Sequence, residues 1–334
     1  MEKSKPPPSG ERRKGAWPME DLRQPVRAVL EQVSGVILGK EAQVQEILLA
    51  FLAGGHALLE DVPGVGKTTL ALAFSRAMEL EHRRVQFTPD VLPSDLTGFS
   101  IYRREEERFV YQKGSVFCNL LLADEINRTS PKTQSALLEV MEERRVTVEG
   151  VTREVPRPFL VIATQNPPGS AGTQALPEAQ VDRFMVCLSL GYPDEASELE
   201  MARGLDGHSR VEAVRPVMDG QGLLRAQAAV CAVYASDAVL RYAVRLVRAT
   251  REHPLLERGG SPRATIALVQ LARAAAWLDG RDFVAPEDEA GRFLAALRHR
   301  VRRSAAARAE GLSRDEALAR ILAATARPAL SQRA

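Results

Sequence analysis

The chain has 334 residues, 45% of them hydrophobic, enough to bury a sizeable core in one large or two ordinary domains. Its 45 lysines and arginines against 43 aspartates and glutamates leave a net charge of +2, so no global charge calls for nucleic acid or a membrane surface. The three cysteines, Cys118, Cys187 and Cys231, form no C-x-x-C pair; with five scattered histidines they argue against a zinc site and for buried thiols in a reducing compartment.

Residues 1–21, beginning MEKSKPPPSGERRKG, carry charge without an apolar stretch and are expected to form a disordered tail, not a signal peptide. No apolar run reaches the length of a membrane span, so a cytoplasmic location without membrane insertion is expected. Residues 22–38 read as a helix leading to Gly39. From there to residue 190, short apolar runs alternate with helical segments. HALLE (56–60), RRVQF (83–87), NLLLAD (119–124), PFLVIAT (158–164) and MVCLSL (185–190) are the expected strands. Several are apolar without alternation, as in a parallel sheet covered on both faces. Between them, 132–142 places Leu137, Val140 and Met141 on one helical face. An α/β domain over 22–190 follows. Inside it, 98–117 and 144–155 alternate around polar tips, as β-hairpins do, whether functional or merely ordinary surface hairpins.

After GYPDEASELE (191–200) the pattern is helical to about residue 327, and a smaller domain over 191–334 is expected. Val239, Tyr242, Ala243, Leu246 and Val247 keep helical spacing behind a capping Ser236, while Pro262 and Pro286 stand where helices start. The cluster Arg298, Arg300, Arg302 and Arg303 reads as a solvated helix face.

The chemistry begins at LLEDVPGVGKTTLALAF (58–74), where glycines, a lysine and hydroxyls stand between an apolar strand and a helix. Val62, Pro63, Gly64, Val65, Gly66, Lys67, Thr68 and Thr69 are the expected nucleotide contacts. The amides of 63–67 would cradle phosphate, Lys67 would neutralise its oxygens and the Thr68 hydroxyl would hold Mg²⁺. The usual pattern, G-x-x-x-x-G-K-[ST], has its first glycine where this chain has Asp61. A second strand, LLLADE, ends in Asp124, suited to the metal through water, and Glu125, suited to orient or deprotonate an attacking water. PFLVIATQNP brings Asn166 to a third strand end, either to sense the γ-phosphate and water or to form an Asn-Pro turn. Arg183 precedes the last strand and Arg263 begins a later helix; a planar fork suits developing phosphoryl charge, but composition alone singles out neither.

In this order, QFTPDVLPSDLTG, LLLADEINRTSPKTQSALLEVMEE, ATQNP, LPEAQVDRF, GYPDE and SPRA resemble the MoxR family of AAA+ ATPases, over about Gln24 to Pro328. The resemblance implies an αβα sandwich with a parallel five-stranded sheet of order 5-1-4-3-2, hairpin insertions and a C-terminal all-helical lid. It implies ATP and Mg²⁺ as ligands, Walker A contacts at Lys67 and Thr68, a Walker B pair at Asp124 and Glu125, and a first sensor at Asn166. Arg183 would be the finger for a neighbouring subunit's nucleotide and Arg263 the second sensor, in cis or in trans; Leu38 and Gly39 would lie near adenine. A hexameric ring acting on a protein client, often beside a von Willebrand factor A-type partner, is the family's usual form. The loop Pro167–Ala175 departs from the family's acidic, Tyr- and Pro-containing pattern, which bears on ring or client contacts more than on nucleotide.

Two rival readings are weaker. A nucleic-acid motor would draw on Arg103, Arg104, Arg144 and Arg145, but Glu105, Glu106 and Glu107 share the first hairpin and the sequence offers no evident aromatic stacking platform. A slow nucleotide-gated binding module would not need Glu125.

Overall fold

The computed structural model describes residues 22–61, 64–166, 176–203 and 207–328; the expected tail, Val62, Pro63 and the divergent loop 167–175 lie outside the described residues. Five parallel strands form the central sheet: β1 (Ala57–Glu60), β2 (His82–Gln86), β3 (Leu120–Asp124), β4 (Leu160–Gln165) and β5 (Val186–Leu188). Their spatial order is β2-β3-β4-β1-β5, the 5-1-4-3-2 order expected, read from the other edge.

Burial explains the strand sequences. Every residue of β3 is buried, because its neighbours β2 and β4 flank it and helices cover both faces. On one face Leu59, Leu120, Leu122, Leu160 and Ile162 join the apolar side of helices Arg23–Val36, Glu41–Leu52 and Lys67–Ala77. On the other, Leu58, Leu121, Ala123, Val161 and Ala163 pack with Leu137, Leu138, Val140 and Met141 of helix Pro131–Glu143. Edge strand β2 is only partly buried and carries Arg83 and Arg84, charges that discourage pairing with another chain.

Both hairpins form, pairing Phe99–Arg103 with Arg108–Gln112 and Arg145–Val148 with Val151–Glu154. They touch one another: Ser100 Oγ donates to Glu149 Oε2 at 2.5 Å, and the Arg153 guanidinium lies 3.7 Å from the Tyr111 ring centre.

The C-terminal region is helical, with Pro262 and Pro286 in first turns and Ser236 capping its helix as expected. A short antiparallel ladder, Leu256–Arg258 with Arg302–Arg303, interrupts the helices; strands this short leave no periodicity to read. The arginine cluster is not simply a solvated face, although Arg302 is exposed. Arg300 is 8% exposed, and its guanidinium donates to Asp182 Oδ1 at 2.7 Å and to the carbonyls of Asp182 (3.0 Å) and Phe184 (2.6 Å). Arg298 pairs with Asp315, Arg302 with Glu257, and Arg303 donates to the Leu312 carbonyl. These partners lie on other elements, so helical spacing could not reveal them. Cys118 and Cys187 are buried as expected, but Cys231 is exposed. Among the described residues no helix is long and apolar enough to cross a membrane.

Arg300 therefore docks the helical region onto the sheet through the segment that enters β5. Removing one partner of a buried ion pair costs about 3–5 kcal/mol. Arg300→Met is expected to lower the unfolding midpoint accordingly; an unchanged midpoint in denaturant would contradict the clamp.

Candidate active site

Gly64 and Gly66 both hold φ near +90°, a conformation that L side chains rarely adopt. A Cβ added at either would meet nothing within 4 Å, so the backbone angle, not crowding, requires glycine. Gly66 caps helix Lys67–Ala77, whose first-turn amides favour an anion. Thr68 and Thr69 follow in that turn, half-buried. Lys67 is buried, and its Nζ donates to the Asp61 carbonyl at 3.1 Å.

The Asp61 carboxylate turns away from this loop. It accepts from Ser189 Oγ (2.8 Å), Leu190 N (2.6 Å) and Gly191 N (3.0 Å), and the residue is 4% exposed. Where the common pattern has glycine, this chain has a tether from the loop to the start of the helical region. Gly39 and Lys40, which follow Leu38, sit beside the same segment. Lys40 Nζ donates to the Tyr192 carbonyl at 2.7 Å, and a Cβ on Gly39 would stand 3.0 Å from Ser197 Oγ.

At the carboxyl ends of β3 and β4, one buried hydroxyl organises two acidic residues. Thr164 Oγ1 donates to Asp124 Oδ1 at 2.6 Å and accepts from Glu125 N at 2.8 Å. Arg84 Nη2 donates to Asp124 Oδ2 at 2.8 Å. Glu125 takes a left-handed φ of +56°, the kind of strain found where a side chain must be aimed. Burial pushes the Glu125 pKa up, but hydrogen bonds from Arg128 and Asn166 outweigh it and hold the carboxyl below its ordinary value. It is ionised at neutral pH. Asn166 is pinned by Asn127, donating its N–H to Oδ1 (3.3 Å) and accepting from Nδ2 (3.2 Å), while its own buried Oδ1 has no partner.

The donors that could hold a metal are the Thr68 hydroxyl and the Asp124 carboxylate, hard oxygens suited to Mg²⁺. Among the described residues no group of three or more His, Cys, Asp or Glu could hold an ion by itself. That fits magnesium, which usually keeps several waters and binds through few protein groups plus phosphate.

Arg183 and Arg263 stand elsewhere. Met185 N donates to the His56 carbonyl, placing Arg183 at the amino edge of the sheet, while the phosphate loop lies at the carboxyl edge. The length of β1, about 13 Å at roughly 3.3 Å per residue, separates the two edges. Both arginines share one carboxylate: Glu142 Oε2 lies 3.3 Å from Arg183 and Oε1 lies 2.5 Å from Arg263. They line a cleft of about 220 Å³ with Gly54, Gly55 and Arg300.

Comparison with known proteins gives the family. The profile described as "ATPase family associated with various cellular activities (AAA)" matches residues 56–186, and that of the AAA lid domain matches 248–321. The Bacillus subtilis protein YeaC, itself uncharacterized, is 44% identical, over 92% of this chain and 97% of its own. Chaperone MoxR1 of Mycobacterium tuberculosis is 40% identical, over 90% of this chain and 82% of its own. The chain belongs to the MoxR family of AAA+ ATPases. A crystal structure from Cytophaga hutchinsonii, provisionally designated an ATPase, superposes on this MoxR-family chain with a TM-score of 0.82 at 39% identity, covering 90% of this chain and 94% of that one.

Sequence reasoning missed several groups of this MoxR-family site. Arg84 lies on a different strand from Asp124, Glu142 reads as one more solvated acid at a helix end, and Asp182 was passed over inside LPEAQVDRF although it anchors Arg300. The first hairpin also exposes an aromatic pair that was not anticipated: Tyr102 and Phe109 are 53% and 71% exposed, with ring centres 5.3 Å apart, edge to face.

The tether predicts an outcome opposite to that of a mere charge near phosphate. Asp61→Gly restores the common pattern, yet loses three hydrogen bonds to a charged acceptor. With bonds of this kind contributing about 1.5–3 kcal/mol each, the variant is expected to melt earlier and bind an ATP analogue more weakly. Tighter binding in a calorimetric titration would show that Asp61 acts by repulsion.

Proposed function

We propose that this protein is a Mg²⁺-dependent ATP hydrolase that works in the cytoplasm as a ring of identical subunits, hexameric by family likeness, and remodels or matures a protein client. The observation that carries the catalytic part is the Thr164 hydroxyl joined to both Asp124 and Glu125, with Asn166 alongside. Lys67 and the amides around Gly64 and Gly66 bind the phosphates. The ionised Glu125 orients water and takes its proton, and Asn166 offers its unpartnered Oδ1 to a donor such as that water. Thr68 and, through water, Asp124 would hold magnesium, which would supply charge neutralisation at the terminal phosphates.

The ring reading rests on the arginines. Arg183 and Arg263 stand at the opposite sheet edge from Lys67, which supports reading them as serving a neighbour's nucleotide in trans and so favours an assembly. The client reading rests on the chaperone name of the mycobacterial relative and on the exposed Tyr102–Phe109 pair. A von Willebrand factor A-type partner is part of the same proposal, from family likeness. The aromatic pair favours the nucleic-acid reading, but several of the nearby cations are already engaged, with Arg104 left exposed. Arg103 and Arg108 both pair with Glu106, and Arg145 pairs with Glu143.

Removing an arginine finger typically lowers the rate by about 10³-fold or more. Arg183→Ala is expected to bind ATP normally while phosphate release falls by that order. Near-parental turnover in a steady-state assay would remove the finger role.

A further inference from the structure

Two guanidiniums facing the same cleft repel one another, and an unrestrained pair would splay apart. Here a single carboxylate stands between them. Glu142 gives Oε2 to Arg183 and Oε1 to Arg263, and each contact uses only one Nη2. A guanidinium carries five N–H donors, so among the described residues the contact with Glu142 leaves further donors on each arginine for phosphate oxygens.

The position of Glu142 is itself fixed. It is the penultimate residue of helix Pro131–Glu143, capped by Ser130. Gln134 Nε2 fastens the start of that helix by donating to the carbonyls of Ile126 (3.1 Å) and Thr129 (3.2 Å), in the turn that follows Glu125. A 13-residue helix is about 20 Å long at 1.5 Å per residue, a rod that sets Glu142 at the far edge of the sheet. Arg183 is held independently, because its neighbour Asp182 is bound by Arg300 and by Ser261 Oγ at 2.7 Å. That serine caps the helix Pro262–Leu278, whose second residue is Arg263. Three elements thus converge on one carboxylate.

We propose that Glu142 is a positioning residue that holds Arg183 and Arg263 as one two-pronged cation for the triphosphate of a neighbouring subunit. The proposal rests on the reading of Arg183 as a finger in trans, and mixed assemblies separate the two. Glu125→Gln chains lend intact arginines but cannot activate water; Arg183→Ala chains keep an intact Glu125. Mixing them should release phosphate faster than either alone, and failure to do so would overturn the finger reading itself.

Glu142→Gln is then added to one chain of the mixture at a time. In the Glu125→Gln chain, which donates the arginines, it should lower the restored kcat about tenfold with little change in KM for ATP. In the Arg183→Ala chain, whose arginine pair is already broken, it should cost no more than the parent mixture. With restoration established, an equal loss in either chain, a loss confined to KM, or no loss at all would overturn the role of Glu142.

Discussion

One buried hydroxyl organises the catalytic end of the molecule. β3 and β4 run parallel with Ala123 opposite Ala163, so the next residues on the two strands, Asp124 and Thr164, emerge side by side. Thr164 can therefore donate to the Asp124 carboxylate and still accept the Glu125 amide. A buried carboxylate without partners would be costly; Thr164 supplies a hydrogen bond and Arg84 the opposing charge. With Asp124 held and the Glu125 backbone forced into a left-handed turn, the second carboxylate has a defined direction. The phosphate loop, itself shaped by two glycines at φ near +90°, faces the same edge of the sheet.

The rest of the charge chemistry lies at the opposite edge. There Arg183, Arg263 and Arg300 gather around Glu142 and Asp182, and the helical region meets the sheet. Asp61 ties that region to the phosphate loop and Arg300 ties it to the arginine edge, so a shift of the helical region would be felt at both ends of the sheet. If the carboxyl edge activates water as proposed, the separation of that edge from the arginine edge makes a ring the natural working unit.

Much of this was legible before any coordinates. Apolar runs located all five strands to within a residue or two, because strands buried on both faces need little but apolar side chains. Their order came from family likeness, since an apolar run does not say which neighbour it pairs with. Gly64, Gly66 and Lys67 stood out because a phosphate loop needs backbone freedom and a cation in a fixed spacing, and the acids at the end of β3, Asp124 and Glu125, carried weight only beside that loop. Four of the misses share one cause. Arg300, Glu142, Arg84 and the Asp61 carboxylate act through partners distant in sequence, and each looks locally like a surface charge or a broken pattern.

The central claim is that ATP and Mg²⁺ sit between the glycine loop and the Asp124–Thr164–Glu125 group. A crystal structure of the Glu125→Gln protein grown with ATP and Mg²⁺ tests it most directly. The account predicts a metal bound to the Thr68 hydroxyl, with a coordinated water on Asp124 and the terminal phosphate within reach of Asn166. A metal held by other groups, or triphosphate lodged away from the Gly64–Thr68 loop, would contradict it.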